Sequence, residues 1–203
     1  DATLGAHRLG AAGGVWLAQR RAVLPQEVRL AFPFTVHEVV RLGLLNAAEP
    51  EDALIPAALA RVGLSGFEGR FYHELSGGEQ QRAQLARVLV QVWEPIYDGA
   101  PRWLFLDEPV ASLDLGHQLE VMDIARDYAE AGGGVIAVMH DLNLTALYAA
   151  SVALMQSGRL VMQGPAEDVM TDARLSDAYG CRVRVSVAPD GAQPFILPHM
   201  AGR

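Results

Sequence analysis

Lysine is absent: all 16 cationic side chains among the 203 residues are arginine. That excludes a Gly-x-x-x-x-Gly-Lys-Ser/Thr loop, whose lysine reaches the terminal phosphates of a nucleotide. Cysteine is nearly absent too. Cys181 stands alone, so no internal disulfide can form, which fits a reducing compartment; a small buried or half-buried residue is expected there. Positive charge is scarce against 24 acidic residues, leaving a net charge of −8. A nucleic-acid-binding surface, which needs clustered positive charge, is thereby disfavoured as the main function. Apolar runs are short: Val135–Met139 falls far below the roughly 20 residues of a membrane span. No signal peptide is recognisable at the start, and Asp1 stands where a methionine would open a native chain. A soluble intracellular protein is expected. With 51% hydrophobic and 20% charged residues, one good-sized domain, or a core with a small subdomain, can bury a substantial interior.

Two helix starts are explicit. Thr35-Val36-His37-Glu38 and Ser76-Gly77-Gly78-Glu79 both have capping-box spacing. The first predicts a helix through about Leu45, the second a helix to about Val92 with Leu85, Val88, Leu89 and Val92 on one face. A further helix is expected over Glu51–Val62, with a kink or later start at Pro56. Val15–Leu17 and Ala22–Leu24 read as short strands, and Pro95–Pro101 as a turn-rich loop. Trp103–Leu106 and Val135–Met139 read as buried strands on either side of a helix over Leu115–Ala131. A short helix to about Ala149 follows. Ser157-Gly158 marks a hairpin, Pro165 opens a small helix at its first position, and short strands are expected near Arg182–Val187 and Phe195–Leu197. Alternating strands and helices predict an α/β core with a mainly parallel sheet.

In such sheets function gathers at the carboxyl ends of the strands, where Asp107-Glu108 and His140-Asp141 both fall. Asp107 suits hydrated Mg²⁺, which takes one or two carboxylates plus waters and phosphates. Glu108 points elsewhere, because side chains alternate on a strand, and could polarise an attacking water. An apolar strand can also simply end in solvated acids. Ser76 could donate to a phosphate or merely cap its helix, and Asp141 could merely cap the helix after it. Two glycines in a first helical turn weaken the helix, and capping does not account for them. They permit close approach to free N–H groups at a helix terminus, where phosphate is favoured. Taken alone, Gln26 reads as a loop residue after proline, and His37, His73, His117 and His199 as histidines without a ligand role.

Taken jointly, these residues resemble the ATPase subunits of ABC transporters. Leu75-Ser76-Gly77-Gly78-Glu79-Gln80-Gln81-Arg82 is similar to the family's signature motif. Leu104-Phe105-Leu106-Asp107-Glu108-Pro109 is similar to its Walker B strand, and Ser112-Leu113-Asp114 to its D-loop. His140 resembles the switch histidine, and Gln26, after Val23-Leu24-Pro25, the Q-loop glutamine. The resemblance runs from about Ala22 to Gly164. It implies an incomplete P-loop NTPase core with a helical subdomain carrying the signature motif. Residues 1–26 would be core and Q-loop, 27–92 the subdomain, 93–164 the stretch from Walker B to the switch histidine, and 165–203 a C-terminal extension. It implies ATP and Mg²⁺ as cofactors and a second ATPase subunit paired head to tail. Ser76, Gly77 and Gly78 of one subunit would grip the γ-phosphate held by the other. Asp107 and Gln26 would help place Mg²⁺, Glu108 would act as base, and His140 would stabilise the transition state. Asp114 would link the two sites, and Gln26 would relay nucleotide state to membrane permease subunits, themselves served by a substrate-binding protein. The protein would sit peripherally on the cytoplasmic face of the inner membrane.

Arg21–Gln26, Phe32–Val36 and Gly134–Leu144, with the long loop Gln91–Arg102, look like the hemin-import ATPases, close to those for ferric siderophores and vitamin B12. The pattern fails upstream, where the Walker A loop and its strand are missing, so a truncated chain with exposed apolar surface is expected. Ala149-Ala150-Ser151 also departs from an Asp-Arg pair frequent in the family. A non-catalytic interaction domain is the competing reading. A soluble ABC ATPase acting on ribosomes or DNA is disfavoured by the acidic charge.

Overall fold

The computed structural model describes residues 3–4, 7–26, 28, 30–191 and 194–201. In chain order the elements are β1 (Thr3–Leu4), β2 (His7–Arg8), α1 (Gly14–Arg20), β3 (Arg21–Leu24), α2 (Val36–Leu44), α3 (Leu54–Arg61), α4 (Gly77–Gln91), β4 (Ile96–Tyr97), β5 (Ala100–Pro101), β6 (Trp103–Asp107), α5 (Leu115–Glu130), β7 (Gly134–Val138), α6 (Leu142–Tyr148), β8 (Val152–Gln156), β9 (Arg159–Gly164), α7 (Ala166–Val169) and α8 (Asp172–Tyr179). The chain forms two compact units, one running to Val138 and the other starting at Met139. No helix among the described residues is long and apolar enough to cross a membrane.

The first unit is built on a parallel sheet in the order β3-β6-β7, with Leu24 opposite Leu106 and Asp107 opposite Val138. One face is dry: Ala22, Leu24, Leu104 and Leu106 are buried, and α4 packs on β3 while α5 packs on β7. On the other face Val23, Ile136 and Val138 remain 44%, 49% and 52% exposed. Strands expected to be buried on both faces are therefore buried on one face and part-exposed on the other.

Beside the sheet, α2, α3 and α4 pack on one another around Val36, Val40, Ile55, Leu59, Leu85 and Val88. Both capping boxes form. Thr35 Oγ1 and Ser76 Oγ each accept the backbone N–H three residues on, at 3.3 Å, and each glutamate takes back the cap's own N–H at 2.8 Å. Pro56 stands third in α3, within the turn that needs no intrahelical N–H, which explains the later start. Val15–Leu17 is helical rather than extended: the segment forms α1, whose Arg20 guanidinium lies 4.4 Å from the Trp16 ring. Pro95–Pro101 is more than a loop. It carries the β4–β5 hairpin, and the Tyr97 ring is covered by Arg102 at 4.3 Å.

The second unit holds α6, the β8–β9 hairpin turning at Ser157-Gly158, α7 and α8. Pro165 lies one position before α7 rather than at its first residue. Arg182–Val187 and Phe195–Leu197 are irregular rather than extended. Val183 and Val185 donate their N–H groups to Ser176 Oγ and Asp172 Oδ1 of α8, so no ladder partner is used. Cys181 is exposed, not buried, in the turn just after α8.

Helices α2 and α4 touch backbone to backbone at Gly43. A Cβ there would lie 2.0 Å from the Arg87 carbonyl oxygen and 2.8 Å from Val90 Cγ2. Gly43→Ala is expected to destabilise the fold by about 3 kcal/mol, at the upper end of overpacking effects. A urea melt should show a lower midpoint at unchanged slope. A midpoint equal to wild type would mean that the two helices separate freely.

Candidate functional site

The first turn of α4 faces the loop that leaves β6. Ser76, Gly77 and Gly78 line a cavity of about 320 Å³ with Ser112, Asp114 and His117. The Ser76 hydroxyl is committed to its capping box, donating to Glu79 Oε2 at 2.9 Å while accepting from Glu79 N. The two glycines differ. A Cβ on Gly78 would come within 3.2 Å of Leu113 Cδ2 and of the Ser112 carbonyl, so Gly78 is explained by close packing of the loop. A Cβ on Gly77 would find its nearest neighbour only at 4.0 Å, so packing does not require glycine there. Its bare backbone opens onto the cavity at the positive end of a 15-residue helix, an arrangement suited to a phosphate oxygen.

Asp114 caps α5 from the far side of the cavity. Its Oδ1 accepts the His117 N–H at 3.0 Å, and its Oδ2 lies 2.8 Å from His117 Nδ1. The backbone hydrogen bond from His117, then the ring contact, hold the Asp114 carboxyl below its ordinary range. Sequence reasoning passed over His117. The available signal was Asp-x-x-His at a helix start, which brings the fourth residue back over the cap.

Asp107 ends β6 as an exposed side chain, and Glu108 follows, half-buried. The Glu108 backbone is left-handed, φ +49°, which glutamate seldom adopts. Its N–H extends the sheet to the Val138 carbonyl at 3.1 Å. Its carbonyl accepts from Ala111 N at 3.3 Å and from Gln81 Nε2 of α4 at 3.5 Å. Because Leu24 pairs with Leu106, the exposed Gln26 and Glu108 leave the same end of the sheet. His140 is exposed, two residues past β7, and belongs to the second unit; Asp141 beside it caps α6 through the Asn143 and Leu144 N–H groups at 2.8 and 2.9 Å. The described residues hold no group of three or more His, Cys, Asp or Glu side chains able to bind a metal by themselves.

The site thus sets a glycine-opened helix start against an acidic loop at the end of a parallel strand. Residues 11–111 match the family model described as ABC transporter. The chain is 66% identical over 188 residues to the hemin import ATP-binding protein HmuV of Jannaschia sp. (strain CCS1), covering 92% of this chain and 70% of that protein. It is 61% identical to the protein of the same name from Roseobacter denitrificans, covering 92% and 72%. Among solved structures, an ATP-binding subunit of an ABC transporter superposes with a TM-score of 0.70 at 20% identity, covering 89% of this chain and 70% of that one, a likeness of fold. The chain belongs to the ABC transporter family, in its ATP-binding ATPase branch.

Glu79 makes the α4 cap dependent on pH. The Ser76 backbone N–H, then the Ser76 hydroxyl, hold its carboxyl below the ordinary 4.5. A depressed carboxyl contributes stability that is complete above the unfolded value and lost as pH falls through the folded one. Stability measured downward from pH 6 should therefore begin to fall near pH 4.5, and Glu79→Gln, which can still accept from Ser76, should flatten part of that fall. Identical pH profiles for the two proteins would remove Glu79 from the linkage.

Proposed function

We propose that this chain is the ATPase portion of an importer for hemin, converting ATP binding and hydrolysis into movement of a membrane permease. The cavity shared by Ser76, Gly77, Gly78 and Asp114 carries the reading, because it joins an exposed helix N-terminus to the loop bearing Asp107 and Glu108. Ser76 and the two glycines meet the γ-phosphate of ATP held by a second subunit, arranged head to tail. Asp107 and Gln26 orient Mg²⁺, which would neutralise phosphate charge. Glu108 accepts a proton from the attacking water, and His140 donates a hydrogen bond to the transferring phosphoryl group. Asp114 links the paired sites, and Gln26 passes nucleotide state to the permease. The assembly sits on the cytoplasmic face of the membrane, and a substrate-binding protein delivers the cargo. The names of relatives 53–66% identical to this chain support hemin over ferric siderophores or vitamin B12.

The residues of this chain fit the signature side of a nucleotide but not its phosphate cradle, since no lysine exists to reach the β- and γ-phosphates. That observation favours a second reading for the chain taken by itself, an interaction module without turnover.

The purified chain is expected to bind Mg·ATP with a Kd in the millimolar range or weaker, and to hydrolyse it no faster than Glu108→Gln. Calorimetry and a phosphate-release assay would measure both. Magnesium-dependent turnover abolished by Glu108→Gln would overturn the need for a lysine-bearing loop. Failure to co-purify with a hemin permease would count against the importer reading.

A further inference from the structure

Helix α4 carries a line of polar side chains that the packing of an amphipathic helix does not require. Gln84 is 3% exposed, and its Nε2 donates to the Tyr72 hydroxyl at 3.2 Å. Its Oε1 accepts from Arg87 Nε at 2.6 Å. The Arg87 Nη2 donates to the Val23 carbonyl in β3 at 3.4 Å. Burial draws the Arg87 guanidinium below its ordinary range, and among the described residues no carboxylate lies within ion-pair distance of it. An apolar side chain of similar volume would fill this space without desolvating a charge.

The two ends of this chain of hydrogen bonds are informative. Tyr72 opens the short 3₁₀ turn before Leu75-Ser76, and its carbonyl accepts both Leu75 N and Gln80 Nε2, at 3.2 Å each. It is thereby fixed to the start of α4. Val23 lies three residues before Gln26, on an edge strand. The Arg21 carbonyl, two residues back and so on the same side of the strand, accepts Gln91 Nε2 at 3.0 Å. Side chains 87 and 91 of one helix thus serve the outer edge of β3 in place of a neighbouring strand. Of these two anchors, Arg87 continues through Gln84 to the signature turn; among the described residues the side-chain bonds of Gln91 end at Ala18 and Arg21.

We propose that Tyr72, Gln84 and Arg87 form a hydrogen-bonded relay that sets the position of β3, and through it Gln26, relative to the signature turn at Ser76, with Arg87 as a positioning residue. The functional weight of Gln26 rests on the importer-ATPase reading above; the relay itself is a property of this chain and is read without nucleotide. A purely local role for Arg87, capping one strand edge, makes a different prediction at a distance.

The test uses ¹⁵N-labelled full chain, three single variants, and the double variant that combines Tyr72→Phe with Arg87→Lys. Tyr72→Phe removes one hydroxyl at the signature end, and Arg87→Lys keeps the charge but loses the paired geometry. Gln91→Ala removes the anchor unconnected to Tyr72. The relay predicts that Tyr72→Phe moves the amide resonances of Val23, Leu24 and Gln26, and raises Leu24 hydrogen exchange about fivefold, the worth of one net hydrogen bond. It predicts that Arg87→Lys moves the resonances of Ser76–Gly78, that the double variant exchanges no faster than Arg87→Lys alone, and that Gln91→Ala leaves Ser76–Gly78 unmoved. Shifts confined to each residue's own neighbours, or additive exchange in the double variant, would overturn it. Should Arg87→Lys fail to fold, the contrast between Tyr72→Phe at Gln26 and Gln91→Ala at Ser76 decides the matter. A relay that holds in a chain with no ATPase function, or fails in one that has it, is distinguishable because neither readout involves ATP.

Discussion

Everything the first unit does depends on α4 being held at both ends and along two sides. Its start is fixed by the reciprocal bonds of Ser76 and Glu79. One side meets α2 so closely at Gly43 that the helix backbones nearly touch. Another reaches β3 through Arg87 and Gln91. A helix so constrained can hardly slide or rotate alone, so the exposed first turn at Gly77 moves only with the strand and helices it grips. The position of this helix terminus is thus a property of the whole unit rather than of one loop.

Much of this was readable beforehand, and for identifiable reasons. Thr35/Glu38 and Ser76/Glu79 announce helix starts because a capping box is a local hydrogen-bond pattern, complete within four residues. That β3, β6 and β7 run parallel follows from strand and helix alternation. Failures came where local pattern competes with tertiary contact. Val15–Leu17 is apolar enough for a strand but too short for periodicity to decide, and Trp16 meets Arg20 one helical turn on. The Pro95–Pro101 segment carries turn residues, yet Tyr97 beneath Arg102 orders it as a hairpin. Cys181 was expected buried or half-buried on residue-type grounds and is exposed, in the turn after α8. At the site, the residue types and strand ends were readable from Asp107, Glu108 and Gly77. The partnership of His117 with Asp114, and the different reasons for Gly77 and Gly78, required three-dimensional distances.

The sheet's two faces carry opposite histories of contact. The buried side matches residue to element, with Leu24 and Leu106 opposed beneath α4 and α5. The side bearing Val23, Ile136 and Val138 keeps the same alternation with its side chains part-exposed. Strand period alone therefore says which residues share a face, not whether that face is covered, and a reading that equates apolar with buried will misjudge such strands.

The conformation of Glu108 carries a last implication. Other non-glycine residues with positive φ include Asp98 and Ser157, which stand at hairpin turns where tight reversal calls for that backbone. Glu108 stands instead at the exit of a parallel strand, where glycine would relax the chain at once. A long acidic side chain on a disfavoured backbone stores local strain at the strand exit, held in place by the bonds to Val138, Ala111 and Gln81.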